Sequence, residues 1–287
     1  MSRIAYVNGR YVPHRAARVH IEDRGYQFSD GVYEVCEVRE GRLVDTKRHL
    51  ARLGRSLDEL GIAAPVNDNA LRHIIAETVR RNRVRDGLVY VQVTRGVAKR
   101  DHAFPPANTR PALVVTARPA DPAAAEAKFR DGVAVLTVPE NRWDRVDIKS
   151  VSLLPNVLAK QAAREAGAYE AWFVDADGHV TEGSSSNAWI ITKDDALVSR
   201  PADHGILRGI TRTTLLEVVD DIGLRFEERP FTVEEALEAK ESFITAATTI
   251  LVPVVRIDGK TVANGMPGEF TGRLRDAFRA HAEAESM

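Results

Sequence analysis

A single cysteine, Cys36, stands in 287 residues, which excludes an intrachain disulfide framework and a cysteine-built zinc centre and points to a reducing compartment, the cytoplasm by default. No stretch approaches the ~20 consecutive apolar residues that a membrane span needs. The opening Met1-Ser2-Arg3-Ile4-Ala5-Tyr6 also lacks the basic-then-apolar layout of a signal peptide. Glycines form neither a dinucleotide fingerprint nor a P-loop, so a nucleotide cradle is not indicated. A G-x-S-x-G elbow is missing as well, which argues against an α/β-hydrolase triad. His14, His20, His73, His179 and His204 keep no metal-ligand spacing and read as surface or capping residues.

Net charge is nearly absent at −1, but this conceals two unlike halves. Residues 1–120 hold 21 Lys and Arg against 13 Asp and Glu, and residues 121–287 hold 19 against 28. Such halves could attract each other within a chain or across a dimer, or the first could receive an anion; unrelated solvated faces are the plain alternative. The run Arg80-Arg81-Asn82-Arg83-Val84-Arg85 closes a helical pattern, where cations complement the macrodipole, and has no interleaved aromatics, so nucleic acid is not an expected partner.

What is present is enough for a compact protein of two domains: 44% of residues are hydrophobic and 28% charged. Asn8-Gly9 between apolar runs predicts a hairpin, and Glu40-Gly41 a second one. Leu50, Leu53, Leu57 and Leu60 predict a helix stopped by Gly61, and Asn67 caps another; strands follow at 88–94 and 112–117. Residues 119–125, with two prolines and a small-residue run, read as a linker. Beyond it come a strand at 133–138, an apolar strand-like stretch over 146–154, and a helix capped by Asn156. A series of short β elements follows, then a capping box at Thr232 and Glu235, a strand at 242–246, a hairpin about Asp258-Gly259 and a closing helix. The fold class is α+β: a small N-terminal domain over 1–118 and a larger C-terminal domain over 126–287.

Three features could carry chemistry. Lys149 lies in an apolar stretch. A lysine taken out of water favours its neutral amine, the form that adds to a carbonyl, while a lysine snorkelling from an edge strand is equally compatible. Glu182 precedes Gly183-Ser184-Ser185-Ser186-Asn187 in a turn that could seat a flat polar ligand or merely join two strands. Leu207-Arg208-Gly209-Ile210-Thr211 opens a helix, whose N–H groups with the Thr211 hydroxyl suit a phosphate; simple capping by Thr211 would look the same. In the first half, Arg52 sits on the polar side of a helix, and Arg100 and His102 occupy a loop where both could meet one carboxylate or simply face solvent.

In this order, these stretches resemble the class IV, or fold type IV, pyridoxal-phosphate aminotransferases, and within them the D-amino-acid enzymes. The resemblance runs from Asp23-Arg-Gly-Tyr-Gln-Phe-Ser-Asp-Gly-Val-Tyr33 through Arg52, Arg100-Asp-His102 and Asp147-Ile-Lys149 to Thr181-Glu-Gly-Ser-Ser-Ser-Asn187 and Gly209-Ile-Thr211. It implies a C-terminal cofactor domain with a β-barrel-like sheet and helices, and pyridoxal 5′-phosphate as cofactor. Lys149 would be the Schiff-base lysine and proton carrier, and Glu182 the partner of the pyridine nitrogen. Arg52, Gly209, Ile210 and Thr211 would hold the phosphate, with Leu207 against the ring. Arg142 resembles a further arginine near the site. Ala246 and Ala247 stand where that pattern has Ser and Thr, leaving main-chain N–H groups to serve. Tyr33, Arg100 and His102 would trap the substrate carboxylate, the last two donated by the other subunit of a homodimer, and Val35 and Glu37, on the Tyr33 face, would border the side-chain pocket. The implied reaction is ping-pong transfer between D-alanine or D-glutamate and pyruvate or 2-oxoglutarate. A branched-chain L-amino-acid or (R)-amine transaminase or an aminodeoxychorismate lyase on the same fold is the alternative, and a cofactor-free binding protein the alternative of another class.

Overall fold

In the computed structural model, residues 3–285 are described; residues 1–2 and 286–287, at the outer ends of the two expected domains, lie outside the described residues. The described residues divide into two units. One takes in the chain up to Asp121 together with Ile148–Ser152, the other Pro122–Asp147 and Leu153–Glu285.

In the first unit, β1 (Ile4–Val7) and β2 (Arg10–Pro13) are joined at Asn8 and Gly9, whose φ of +46° and +94° are what a two-residue I′ turn demands. A short helix α1 (Arg24–Phe28), capped by the Asp23 carboxylate, leads into β3 (Gly31–Arg39), which turns at Glu40-Gly41 into β4 (Arg42–Leu43). Helices α2 (Thr46–Glu59) and α3 (Asp68–Asn82) precede β5 (Gly87–Thr94) and β6 (Ala112–Pro119). Asn67 caps α3 as its position implies, accepting from Ala70 N at 2.9 Å. The strands form an antiparallel sheet in the order β2-β1-β6-β5-β3-β4. Leu53 and Leu57 of α2 and Ile75 and Val79 of α3 join Val32, Cys36, Val91 and Val115 of the sheet in one core. Because side chains alternate along a strand, Tyr33, Val35 and Glu37 stand on the other face, where they are only half-buried.

The stretch 148–152 belongs to this unit. Tyr33 N donates to Lys149 O at 3.0 Å, Val151 N donates to Gly31 O at 3.0 Å, and Ser150 bridges Val32. This single bridge is all that is strand-like in the apolar run over 146–154, because the chain is in a turn up to Asp147 and enters a helix at Leu154.

The second unit begins at Pro122, within residues 119–125. The segment read as a linker ends β6 at Pro119 and then starts α4 (Pro122–Asp131). Proline suits a first helical turn and alanine is the best helix former, so a stretch without apolar periodicity still coils. Glu126 pairs with Arg275 and Arg279, and the Arg275 guanidinium lies 3.9 Å from the centre of the Phe129 ring, which anchors the helix. After β7 (Val133–Pro139), α5 (Leu154–Glu165) begins three residues earlier than a cap at Asn156 implies: Pro155 fixes its first turn, and Asn156, rather than capping, donates Nδ2 to Ser184 O at 2.9 Å. Then come β8 (Glu170–Val174), β9 (Val180–Gly183), β10 (Asn187–Ile191), β11 (Ala196–Ser199), α6 (Ile210–Val218) and β12 (Arg225–Glu228). The chain continues through α7 (Val233–Glu238), β13 (Glu241–Ala246), β14 (Ile250–Ile257), β15 (Lys260–Thr261) and α8 (Glu269–Glu285). Thr232 caps α7 by accepting from Glu235 N at 3.1 Å, but the Glu235 carboxylate turns to Arg229 and leaves the capping box half made.

The sheet order is β12-β11-β10-β13-β14-β7-β8-β9, with β15 on β14, so the barrel-like sheet has two ends, β12 and β9, and stays open. Its aromatics are concentrated in the core. Trp172 meets Phe231 edge-on at 6.2 Å, Trp189 stacks on Phe243 at 5.8 Å, and all four are fully buried. Among the described residues no helix is long and apolar enough to cross a membrane.

Candidate active site

Helix α2 carries two buried stripes, not one. Beside Leu50, Leu53 and Leu57 run His49, Arg52 and Ser56, spaced by three and four and all buried. The sequence alone places Arg52 on a polar face; it is buried because β3 presents a carboxylate to it. Glu34, among the inward-facing Val32, Cys36 and Val38 of β3 and 0% exposed, accepts Arg52 Nε at 2.6 Å on one oxygen and Nη2 at 2.8 Å on the other. His49 Nδ1 lies 2.8 Å from the same carboxylate. Burial alone would raise the Glu34 carboxyl, but the Arg52 charge and hydrogen bonds, with the His49 contact, outweigh it and bring the group down to about 2. Burial holds His49 below its ordinary value, so the ring is neutral, and Nδ1 carries the proton because an ionised carboxylate only accepts.

Ser56, the third member of that stripe, accepts Lys149 N at 3.3 Å. Lys149 is therefore fixed by its own main chain on both sides, to α2 and to β3. Its half-buried side chain puts Nζ 4.3 Å from the centre of the Tyr33 ring, which stacks on Tyr90 at 5.5 Å. Tyr90 is pushed up to about 12, mainly by burial and secondarily by Tyr33.

In the second unit, Glu182 is buried at the end of β9. One oxygen meets Arg142 Nη1 at 2.5 Å; the other accepts from Asn187 Nδ2 at 3.0 Å and Leu207 N at 3.1 Å. A guanidinium with two N–H donors complements an ionised carboxylate. Arg142 is itself clamped by Glu140, at 2.8 Å from Nε and 2.6 Å from Nη2, and that clamp with Glu182 outweighs burial and raises its pKa. Leu207 contributes through its backbone, since its carbonyl accepts from Asn187 Nδ2 at 2.9 Å.

Asn187 is the joint of this region. It pairs with Thr245 across β10 and β13, which brings the Ala246–Ala247 turn to the same end of the sheet, and a Cβ on Gly209 would lie 2.1 Å from its Oδ1. Gly209, not Thr211, is the N-cap of α6. Thr211 lies buried in the first turn, so the N–H groups of Ile210 and Thr211 are among those a helix leaves without internal acceptors. The turn after Ala246 ends at Ile250 with φ +60°, a β-branched residue in a conformation that costs ~1–3 kcal/mol, the kind of strain found where a loop is shaped for a ligand. The Thr245 hydroxyl is held on β10, its Oγ1 accepting from Trp189 Nε1 at 2.9 Å.

Sequence reasoning overlooked Glu170. It is 1% exposed at the head of β8 and takes the hydroxyls of Ser184, Ser185 (2.7 Å) and Ser186 (3.3 Å), so the serine run is tied back to the sheet. The available signal was a lone carboxylate heading the apolar strand Glu170-Ala-Trp-Phe-Val174.

Arg100 and His102 are exposed, and they gather on Phe28: the Arg100 guanidinium lies 4.9 Å from its ring centre and the His102 ring 5.4 Å away. Among the described residues no hydrogen bond, ring contact or cation–π contact joins either to Tyr33.

Residues 31–257 match the amino-transferase class IV family, and the chain belongs to that family. It is 41% identical over 272 residues to the D-alanine aminotransferase of Bacillus licheniformis, covering 95% of this chain and 94% of the relative. The D-alanine aminotransferase of Staphylococcus aureus is 37% identical over 287 residues, with 98% and 99% covered. Among solved structures, the T.th. branched-chain amino acid aminotransferase with pyridoxamine 5′-phosphate superposes at a TM-score of 0.89 and 25% identity, covering 99% of this chain and 95% of that one. The two-domain α+β architecture expected of fold type IV is thus the one found.

Proposed function

We propose that this chain exchanges the amino group between D-amino acids, D-alanine and D-glutamate foremost, and the 2-oxo acids pyruvate and 2-oxoglutarate, with pyridoxal 5′-phosphate as cofactor. The observation that carries the reading is nearly full-length similarity to D-alanine aminotransferases at 37–41% identity. The chemistry of the buried polar groups supports this cofactor. Glu182, held at both oxygens, would keep the proton on a pyridine nitrogen. Arg52 would meet the phosphate, aided by Gly209 and by the N–H groups of Ile210, Thr211, Ala246 and Ala247. Bound there, pyridoxal phosphate supplies an aldehyde to receive the amino group and a ring to delocalise the electrons left on the substrate Cα. Lys149 Nζ would hold that aldehyde and, once displaced, take the proton from the substrate Cα as a neutral amine and deliver it to the cofactor carbon that had carried the aldehyde.

Tyr33, Arg100 and His102 would bind the substrate carboxylate, with Arg100 and His102 reaching the site of a second copy. Support for a homodimer with shared sites comes from large apolar side chains beside this loop, Ile21, Tyr26 and Phe104, each 70–76% exposed in one chain, where a partner surface would cover them. The cytoplasm, where the buried Cys36 thiol stays reduced, is the proposed location.

The visible spectrum of the holoenzyme tests the reading. A yellow band bleached by D-alanine and not by L-leucine is the expected result; bleaching by L-leucine alone would move the chain to branched-chain L-amino acids. A narrower expectation concerns Gly209→Ala. The new methyl would displace Asn187, whose amide is fixed on Glu182 and Leu207, and weaken cofactor binding about tenfold, ~1.4 kcal/mol. Fluorescence titration of the cofactor-free protein with pyridoxal phosphate measures this, and unchanged affinity would remove Asn187 from the cofactor site.

A further inference from the structure

We propose that Arg24 and Phe28 form the seat that positions the loop carrying Arg100 and His102, and so set how tightly the substrate carboxylate is held; this rests on the reading of those two residues as the carboxylate trap. The loop has no regular structure, and residues 99–104 are exposed. Its main-chain carbonyls are held by a single guanidinium. Arg24, 4% exposed, donates Nη1 to Asp101 O at 2.7 Å and Ala103 O at 3.3 Å, and Nη2 to His102 O at 3.5 Å. Among the described residues no other group donates to a carbonyl of residues 99–104. Further restraints come from within and below the loop: Ala103 N donates to Asp101 Oδ1 at 3.1 Å, and the Arg95 guanidinium lies 3.8 Å from the centre of the Phe104 ring.

Arg24 is aimed by Asp30, whose Oδ2 accepts its Nε at 2.7 Å and also Arg95 Nε at 2.7 Å. Arg95 ties that carboxylate to the body of the unit through the carbonyls of Gly61 (2.9 Å) and Leu60 (2.7 Å). Burial would raise the Asp30 carboxyl, but the hydrogen bonds of Arg95 and Arg24 bring it below its ordinary value, consistent with an anion built into the hub. Phe28 completes the seat. Its ring lies 4.8 Å from the Arg24 guanidinium, 4.9 Å from that of Arg100 and 5.4 Å from the His102 ring, so both trap residues rest on an aromatic that the Arg24 helix carries. The sequence therefore couples two distant motifs: Asp23-Arg24-Gly25-Tyr26-Gln27-Phe28 and Arg100-Asp101-His102.

The test is Arg24→Lys in the holoenzyme, with Arg100→Ala beside it. Lysine keeps a charge near Asp30 but cannot fork across three carbonyls. For Arg24→Lys we expect KM for D-alanine to rise about tenfold while kcat stays within about twofold, the cofactor band is unchanged, and amide exchange over residues 99–104 accelerates. Phe28→Leu, which keeps apolar bulk without the ring, serves if Arg24→Lys does not fold, and should show the same KM-only change. A raised KM in Arg100→Ala with unchanged KM and exchange in the seat variant overturns the positioning role. An unchanged KM in Arg100→Ala overturns the carboxylate reading and the seat's purpose with it.

Discussion

Replacing Lys149 by alanine is expected to abolish turnover while the protein still folds and still takes up pyridoxal phosphate without a covalent bond. The expectation follows from how the residue is held. Its main-chain N–H is fixed on Ser56 and its carbonyl on Tyr33 N, and neither contact involves the side chain. Truncation at Cβ therefore leaves the 148–152 stretch in register and removes only the amine and its approach to the Tyr33 ring, worth about 0.5–2 kcal/mol. The chemical loss is far larger. A positioned proton carrier alone contributes about 10²–10⁴-fold, and the covalent anchor goes with it. Borohydride reduction followed by mass analysis separates the two roles. Wild-type enzyme should retain the cofactor mass on the peptide containing Lys149 and the alanine variant should not. Wild-type turnover, or a retained cofactor mass on another lysine, would end the assignment.

Much of the frame was legible because its determinants are local. Asn8-Gly9 and Glu40-Gly41 set hairpins within four residues, and Asn67 caps the helix it precedes. Failures arose where a residue's meaning depends on what packs against it. Asn156 looks like a cap until Pro155 fixes the turn before it, and residues 119–125 look like a linker although α4 starts within them at Pro122 and is held through Arg275. The buried site residues show the same limit. Arg52 on a helix face reads as solvated because the carboxylate that buries it, Glu34, lies 18 positions earlier on a strand. Glu170 is hidden likewise, 14 residues before the first serine it binds. Lys149, Glu182 and the Gly209–Thr211 helix start were visible as types in an order, yet sequence could not say that Asn187 joins Glu182 to Gly209 and Leu207. The proposed carboxylate trap is a different case: Arg100 and His102 lie on Phe28 with no hydrogen bond or ring contact to Tyr33, and the resemblance to the D-amino-acid enzymes is what groups the three.

Glu34→Gln is expected to destabilise the protein by about 3–5 kcal/mol, because it leaves the Arg52 guanidinium buried without its counter-charge. Glutamine preserves shape and one acceptor, but its amide nitrogen would point a donor at Arg52 or His49, both of which donate to the carboxylate. The wild-type interaction also has a pH signature. The Glu34 carboxyl is brought from an ordinary 4.5 down to about 2 in the folded state, so its stabilisation is complete above pH ~4.5 and lost progressively as pH falls from there through about 2. Wild type should therefore lose stability across that window more steeply than Glu34→Gln, and the gap between them should narrow towards pH 3. Urea unfolding of both proteins at pH 7 and pH 3 checks this, using cofactor-free samples so that binding to the native state does not enter the comparison. Equal stability at pH 7 would mean that the Arg52 charge finds water or another partner when Glu34 is lost. A constant gap across pH would mean that the carboxylate acts through packing rather than charge. The expected pattern would instead make the β3 carboxylate the element that keeps Arg52 ionised, oriented and inside the fold, which is the condition for that arginine to meet a phosphate.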